Sequence, residues 1–201
     1  KLNNFKEITL NIDLWDIEPN KYNLIISNFF LNCNDNISFV FGKIINSLIP
    51  NGLFLSTLPS KKNFDELKSA MIKTDIELYG GAYNRFNKTT DLVQIIEILK
   101  KNNFKIPLVN LEQIKLEYKK FDKLLYDIRS MNLSYYYQDK KNTFEKKKYF
   151  KVLEKHFKIN YDKNFSLTTE FYIISGWKNH NSQQKPLKPG EAKNKLSDFL
   201  K

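Results

Sequence analysis

The side chains that could take part in chemistry are few and lie apart from one another along the chain. Arg85 follows Gly80 and Gly81, and a guanidinium in a loop that glycines make permissive could hold a carboxylate or a phosphate. A helix end followed by a surface arginine fits the same residues equally well. Cys33 fits a small buried residue better than a nucleophile, because no base lies near it in sequence. His180 lies in a polar segment, which is more typical of an exposed residue than of a general base.

The composition narrows the classes of function. The chain has 201 residues and is 41% hydrophobic, which is typical of one globular domain. Its single cysteine excludes an internal disulfide framework and fits a reducing compartment. With only two histidines besides, we expect no Cys/His zinc site and assign no metal ligands. No apolar run approaches the ~20 residues that span a bilayer, and the first residues lack a secretory pattern.

The basic charge is weak support for binding to nucleic acid. The formal net charge is +11, but the chain is crowded with Lys, Asn and Ile, the residues of A/T-only codons. Lysine greatly outnumbers arginine, which is the better residue for bidentate contacts to phosphates and bases. We therefore expect that nucleic acid is not a partner of this chain.

Residues 22–58 predict a strand, a helix and a second strand. The run 24–26 is apolar and branched, and 34–36 offers side-chain oxygens that can cap a helix. Apolar residues then recur at helical spacing, at Ile37, Val40, Phe41, Ile44 and Leu48. The segment 50–52 predicts the turn that ends the helix, and 53–55 predicts the next strand. A strand, a helix and a strand with short connections indicate a parallel pair.

The rest of the chain predicts further helices and one clear late strand. Asn63 and Glu66 form a capping-box-like pair before a helix that runs to about residue 78. Thr89 or Thr90 is the expected cap of the next helix. Later segments are predicted as one or two strands at 106–116, a helix at 121–131, a lysine-rich helix within 140–158 and a strand at 166–176.

Two motifs of the strand, helix and strand unit resemble class I SAM-dependent methyltransferases. YNLIISN at 22–28 resembles the segment that family has around its fourth strand, and LIPNGLF at 48–54 resembles the turn into the next one. The resemblance implies an α/β, Rossmann-like sheet with helices on both faces, a reversed late strand at 171–174, and N-terminal strands missing from this chain. Residues 1–180 would be the C-terminal part of one methyltransferase domain with a helical insertion at about 119–160, and 181–201 a polar, flexible tail.

The C-terminal motifs resemble one subgroup of that family. FDEL at 64–67, Gly80-Gly81 with Arg85, and ISGWKNH at 174–180 followed by Ser182-Gln183 resemble the methyltransferase-like complex I assembly factors of mitochondria and alphaproteobacteria. The chain is also similar to the methyltransferase that acts on malonyl-carrier protein in biotin synthesis. The resemblance implies a location in the mitochondrial matrix or the bacterial cytoplasm.

The resemblance also implies a cofactor, S-adenosylmethionine (SAM), and residues that border it. Asp13 and Leu14 would border the adenine, and Ser27, Asn28 and Phe29 the methionine and its sulfonium. The alternatives are turn-forming loop residues for Asp13 and strand-end hydrogen bonding for Ser27 and Asn28. No catalytic residue is assigned.

Substrate-facing positions follow from the same resemblance. Gly80, Gly81 and Arg85 would form a lid or substrate-facing loop. Asn32 stands where relatives carry His or Gln followed by Trp, which implies a more open pocket. The glycine-rich loop after the first strand and the acid that holds the ribose are absent from this sequence.

Three functions remain open at this point. The first is a SAM-dependent methyltransferase-fold protein of complex I assembly, with a protein or complex I subunit, a small molecule or a carrier protein as acceptor. The same fold could serve hydroxylation of a protein arginine in place of methyl transfer. The second is a non-enzymatic assembly chaperone that uses this half of the domain as a binding surface. The third is an RNA-associated methyltransferase, whose affinity for RNA should fall steeply with salt.

Overall fold

A computed structural model describes residues 18–31, 36–131, 145–158 and 164–184. Four strands and five helices occur in this part of the chain. In chain order they are β1 (Tyr22–Asn28), α1 (Ile37–Ser47), β2 (Leu48–Pro59), α2 (Asp65–Tyr79), α3 (Leu92–Lys101), β3 (Lys105–Tyr118), α4 (Phe121–Ser130), α5 (Lys147–Lys158) and β4 (Phe165–Trp177).

The four strands form one mixed sheet in the order β1-β2-β4-β3. β1 and β2 are parallel, as the strand, helix and strand pattern predicts. β4 is antiparallel to both of its neighbours, so the predicted reversed strand is confirmed. It lies inside the sheet, between β2 and β3.

Helices cover both faces of the sheet because β4 buries alternate residues on opposite sides. Tyr172 and Ile174 pack into a first core with α1 and α3. Phe165 and Leu167, which point to the other face, pack into a second core with α2, α4 and α5. The predicted α/β sheet with helices on both faces is therefore confirmed.

An aromatic cluster joins α1 to the sheet in the first core. The ring centroid of Phe41 lies 5.3 Å from that of Phe54 and 6.1 Å from that of Phe104. Phe54 and Phe104 are 5.7 Å apart. Phe41 and Phe54 are fully buried, so this cluster contributes apolar area to the packing of α1 on the sheet.

The start of α1 agrees with the sequence analysis, but the predicted turn after it was wrong. The side chain of Asn36 accepts a hydrogen bond from the backbone N–H of Phe39 and caps the helix. Residues 50–52 lie within β2, which begins directly after the helix. Asn51 has a φ of +64°, and the register with β1 shifts here, so the irregularity is absorbed inside the strand.

Two predicted helix caps were wrong because other partners take the capping groups. Phe64, in a left-handed conformation, precedes α2, and the Asn63 side chain accepts from the backbone N–H of Glu170 in β4. Asp91, and not Thr89 or Thr90, caps α3 and forms a capping box with Gln94.

The described helices give no candidate for a membrane span. Within residues 18–31, 36–131, 145–158 and 164–184, none is long and apolar enough to cross a bilayer.

Candidate functional site

The carboxyl end of β1 brings Ser27, Asn28 and Phe29 together beside β2. Asn28 pairs with Thr57 in the parallel ladder, so both strands end at the same edge of the sheet. The Thr57 hydroxyl donates a hydrogen bond to Asn28 Oδ1 at 2.6 Å and accepts one from the backbone N–H of Phe29 at 3.0 Å. Phe29 has a φ of +50°, which is uncommon for a residue with a bulky side chain.

A cavity of about 510 Å³ lies next to this strand end. Its described lining is largely apolar and carries no charged side chain. The lining residues are Asn28, Phe29, Ile114, Leu116, Ser130, Met131, Thr169 and Phe171. The rings of Phe29 and Phe171 meet edge to face with centroids 5.4 Å apart, which forms an aromatic wall. The described part of the cavity therefore offers few polar contacts, at Asn28, Ser130 and Thr169.

Ser27 has a buried hydroxyl without a hydrogen-bond partner among the described residues. The same holds for the hydroxyl of Ser56, its ladder partner in β2. Buried polar groups without a partner are uncommon, and they concentrate where a water or a ligand completes the network. The pair lies one residue before the exposed strand end, at the edge where parallel strands bind ligands.

The structure places the other predicted site residues elsewhere or leaves them outside its described part. Gly80 ends α2 with a φ of +75°, as expected of a glycine cap. Gly81 follows it on the surface. Arg85 is absent from the described lining of the 510 Å³ cavity. Asp13, Leu14 and Asn32 lie outside the described residues, so their roles stay predictions.

Arg85 is bound by two carboxylates of the chain itself. Its Nε and Nη2 donate to the two oxygens of Asp75 at 2.9 and 2.6 Å, and Nη2 also donates to Glu145 at 2.7 Å. The guanidinium carbon lies 4.6 Å from the ring centroid of Tyr149. Asp75 also accepts from the backbone N–H of Tyr83, so α2, the loop after it and the start of α5 are tied together.

The electrostatics of this cluster follow from burial and pairing. Burial would lower the pKa of Arg85, but its hydrogen bonds to Asp75 and Glu145 outweigh this effect and raise the pKa above its ordinary value. Burial also raises the pKa of Tyr149 above that of a free phenol. The guanidinium therefore stays charged and uses its donors inside the protein, so it anchors the loop that the sequence predicts as a lid.

The motif at the end of β4, ISGWKNH at 174–180 with Ser182 and Gln183, forms a clasp at the opposite end of the sheet. Lys178 Nζ donates to Asn20 Oδ1 at 2.8 Å and to the carbonyl oxygens of Asn46 and Leu48 at 3.1 and 2.7 Å. Gln183 Nε2 donates to the carbonyl of Lys178 at 2.7 Å. These contacts join the end of β4 to the end of α1, so the most family-specific motif stabilises the fold.

His180 belongs to the same clasp. Its Nδ1 accepts from the backbone N–H of Ser182 at 3.2 Å and lies 2.7 Å from the Ser182 hydroxyl. Its side chain is exposed. The contacts are those of a turn, which agrees with the interpretation of His180 as an exposed residue.

Substituting methionine for Lys178 should lower the free energy of unfolding by about 1.5–3 kcal/mol, because the clasp depends on hydrogen bonds from a charged donor. Urea denaturation should show a lower midpoint with an unchanged slope. Lys105→Met is the matched control, since Lys105 is exposed and pairs with the neighbouring Trp177 only through the backbone ladder. Equal midpoints for the two variants would contradict the clasp.

Several residues of these networks carry no signal in the sequence. Thr57 is an ordinary strand residue until the fold brings it beside Asn28, and Asp75 resembles any carboxylate on a helix. Glu170 is buried and accepts a hydrogen bond from the Ser60 hydroxyl at 2.5 Å. A search for acidic residues at buried positions of a strand could have found Glu170. Within the described ranges, no group of three or more metal-ligating side chains could hold a metal ion.

The sequence is related to curated mitochondrial proteins, although no family model matches it. It is 34% identical over 187 residues to "Arginine-hydroxylase NDUFAF5, mitochondrial" of Dictyostelium discoideum, which covers 91% of this chain and 43% of that protein. The protein of the same name from Danio rerio is 21% identical over 186 residues, covering 92% of this chain and 58% of the relative. The chain thus spans about half the length of the curated relatives it matches.

The fold is shared with solved structures of low sequence identity. A Bacillus halodurans protein assigned as a methyltransferase superposes with a TM-score of 0.55 at 10% identity, covering 87% of this chain and 78% of the other. YcgJ of Bacillus subtilis gives a TM-score of 0.50 at 10% identity, covering 85% and 69%. These findings confirm the resemblance seen in the motifs: the chain has a methyltransferase-like α/β fold, and NDUFAF5 proteins are among its sequence relatives.

Proposed function

We propose that this chain belongs to a SAM-dependent methyltransferase of the mitochondrial matrix that acts in the assembly of respiratory complex I, with a complex I subunit as its protein substrate. The observation that carries the proposal is the carboxyl end of β1, where Asn28 and Phe29 border a cavity of about 510 Å³. Ligands of parallel α/β sheets bind at this edge. The names of the curated relatives support the mitochondrial location.

The residues at this edge fit one side of the cofactor. Ser27, Asn28 and Phe29 would border the methionine part of SAM; of these, Asn28 and Phe29 line the cavity, whereas the Ser27 hydroxyl is buried. When bound, SAM supplies an electrophilic methyl group for transfer to a nucleophile. The adenine side, proposed for Asp13 and Leu14, and a glycine-rich loop would complete the site.

Hydroxylation of a protein arginine is the second candidate, because the curated relatives carry the name arginine-hydroxylase. The two reactions leave different products on the same kind of protein substrate. Mass spectrometry of candidate complex I subunits distinguishes an added methyl group from an added oxygen atom. An added oxygen, with SAM bound but unconsumed, would favour hydroxylation.

Calorimetric titration of SAM is the direct test of the cofactor proposal. The titration should be done with this chain and with the longest natural translation product that contains it. We expect saturable binding of SAM. Asn28→Leu should weaken binding, whereas Asn23→Leu, at an exposed position of the same strand, should leave it unchanged. Absence of binding at millimolar SAM in both forms would overturn the proposal.

A further inference from the structure

We infer that Thr57 is a positioning residue, which orients the Asn28 side chain so that its amide N–H groups are presented to the bound ligand. The inference rests on the proposed function, since it assigns Asn28 a ligand at the carboxyl end of β1. Thr57 itself lies in β2 and is absent from the described lining of the cavity. Its effect would pass through its neighbours on β1.

The hydrogen bonds of Thr57 fix the direction of the Asn28 carboxamide. A hydroxyl has one donor, and Thr57 uses it on Asn28 Oδ1 at 2.6 Å. The Thr57 hydroxyl oxygen in turn accepts a hydrogen bond from the backbone N–H of Phe29 at 3.0 Å, so the hydroxyl is held from both sides. With Oδ1 bound to Thr57, the Nδ2 group on the other branch of the Asn28 carboxamide is left to donate to another acceptor. Among the described residues Nδ2 has no acceptor, and Asn28 is exposed.

Thr57 also holds the backbone that carries the aromatic wall of the cavity. The N–H of Phe29 donates to the Thr57 carbonyl oxygen at 3.2 Å as well as to the hydroxyl. Phe29 has a φ of +50°, a left-handed conformation that is unfavourable for a residue other than glycine. Such strain persists where the surroundings over-determine it, and it concentrates at functional sites.

The surroundings of Asn28 indicate what it would bind. The described walls of the cavity carry no charge, and beside them the Asn28 amide offers two donors. The matching ligand atom is a hydrogen-bond acceptor, an oxygen of the cofactor or of the acceptor group, next to a largely apolar moiety. We assign the contact to an oxygen of the cofactor. The probe used to test it is S-adenosylhomocysteine (SAH), the product form of the cofactor.

The test compares Thr57→Val, which keeps the shape and removes the hydroxyl, with Thr57→Ser, which keeps the hydroxyl. The variants are made in the longest natural translation product that contains this chain. We expect Thr57→Val to weaken SAH binding about tenfold, which corresponds to one hydrogen bond of about 1.4 kcal/mol. Thr57→Ser should stay within about twofold of the parent. Adding Thr57→Val to Asn28→Ala should cost less than the sum of the two single changes, because part of the effect of Thr57 passes through Asn28.

Hydrogen exchange at the backbone N–H of Phe29 gives a readout that needs no ligand. Protection should fall in Thr57→Val and be restored in Thr57→Ser. Parental SAH affinity or parental Phe29 protection in Thr57→Val would overturn the inference while leaving SAM binding intact. If the parent binds neither SAM nor SAH, the proposed function fails and the role assigned to Asn28 fails with it, whereas the protection data still decide whether Thr57 holds this strand end.

Discussion

Replacement of Arg85 by alanine should lower the free energy of unfolding by about 3–5 kcal/mol, the cost of breaking a buried ion pair from one side. The substitution removes the bidentate partner of the Asp75 carboxylate, whose side chain is only 1% exposed, and leaves a buried charge unpaired. It also releases Glu145, so the loop after α2 and the start of α5 lose their shared anchor. Urea denaturation followed by circular dichroism measures the effect.

Two further variants test whether the loss of stability comes from the broken ion pair with Asp75 or from the removal of any arginine. Arg129→Ala removes an exposed guanidinium that lies 5.7 Å from the ring of Phe150, and it should cost less than about 1 kcal/mol. Combining Asp75→Ala with Arg85→Ala should cost less than the sum of the single changes, because no buried charge is then left unpaired. Strict additivity, or a cost for Arg85→Ala no larger than that for Arg129→Ala, would show that the pair is not buried as described.

Phe41→Ala is the second substitution with a large expected effect, about 3–5 kcal/mol of unfolding free energy. Its ring is fully buried between Phe54 and Phe104, so truncation removes apolar contacts and leaves a cavity under α1. The chain offers a matched control two positions away on the same helix. Phe39 is 47% exposed, and Phe39→Ala should change the stability by well under half as much.

The comparison of these two phenylalanines tests the orientation of α1. If Phe39→Ala proved the more destabilising, the helix would have to be rotated on the sheet, and the first core would be assigned incorrectly. Thermal unfolding gives a second measurement, since each 1 kcal/mol shifts the melting temperature of a domain of this size by about 2–4 °C.

Hydrophobic periodicity predicted most of the fold because the core residues follow it closely. Val40, Phe41 and Ile44 recur at helical spacing and are fully buried on one side of α1. The caps of α2 and α3 were harder to predict, because a polar side chain near a helix end can hydrogen-bond a group that is distant in sequence. The Glu66 carboxylate bonds the hydroxyl and backbone N–H of Thr168, more than one hundred residues away, in place of the cap predicted from its neighbours.

The candidate site was predictable only where its residues are local in sequence. Ser27 and Asn28 end an apolar strand and Phe29 follows it, so their place at this edge follows from the parallel connection. Their assignment to the cofactor came from the family resemblance and stays a prediction. Thr57 and Asp75 act through contacts with other parts of the fold. Residue spacing in the sequence does not predict such contacts. Arg85 was recognised as an anion-binding residue, but the sequence could not show that the anions are Asp75 and Glu145.

The position of β4 inside the sheet governs the order in which the chain can fold during its synthesis. β2 and β3 leave the ribosome before it, and among the described strands β3 pairs only with β4. Until β4 emerges, β3 has no ladder partner and β2 carries an open edge, both of which invite pairing with other chains. β2 and β3 must also stay about 10 Å apart, twice the spacing of neighbouring strands, so that β4 can insert between them. A stop before Phe165 would therefore leave β3 without a partner beside a two-stranded β1-β2 ladder, and not simply shorten the sheet.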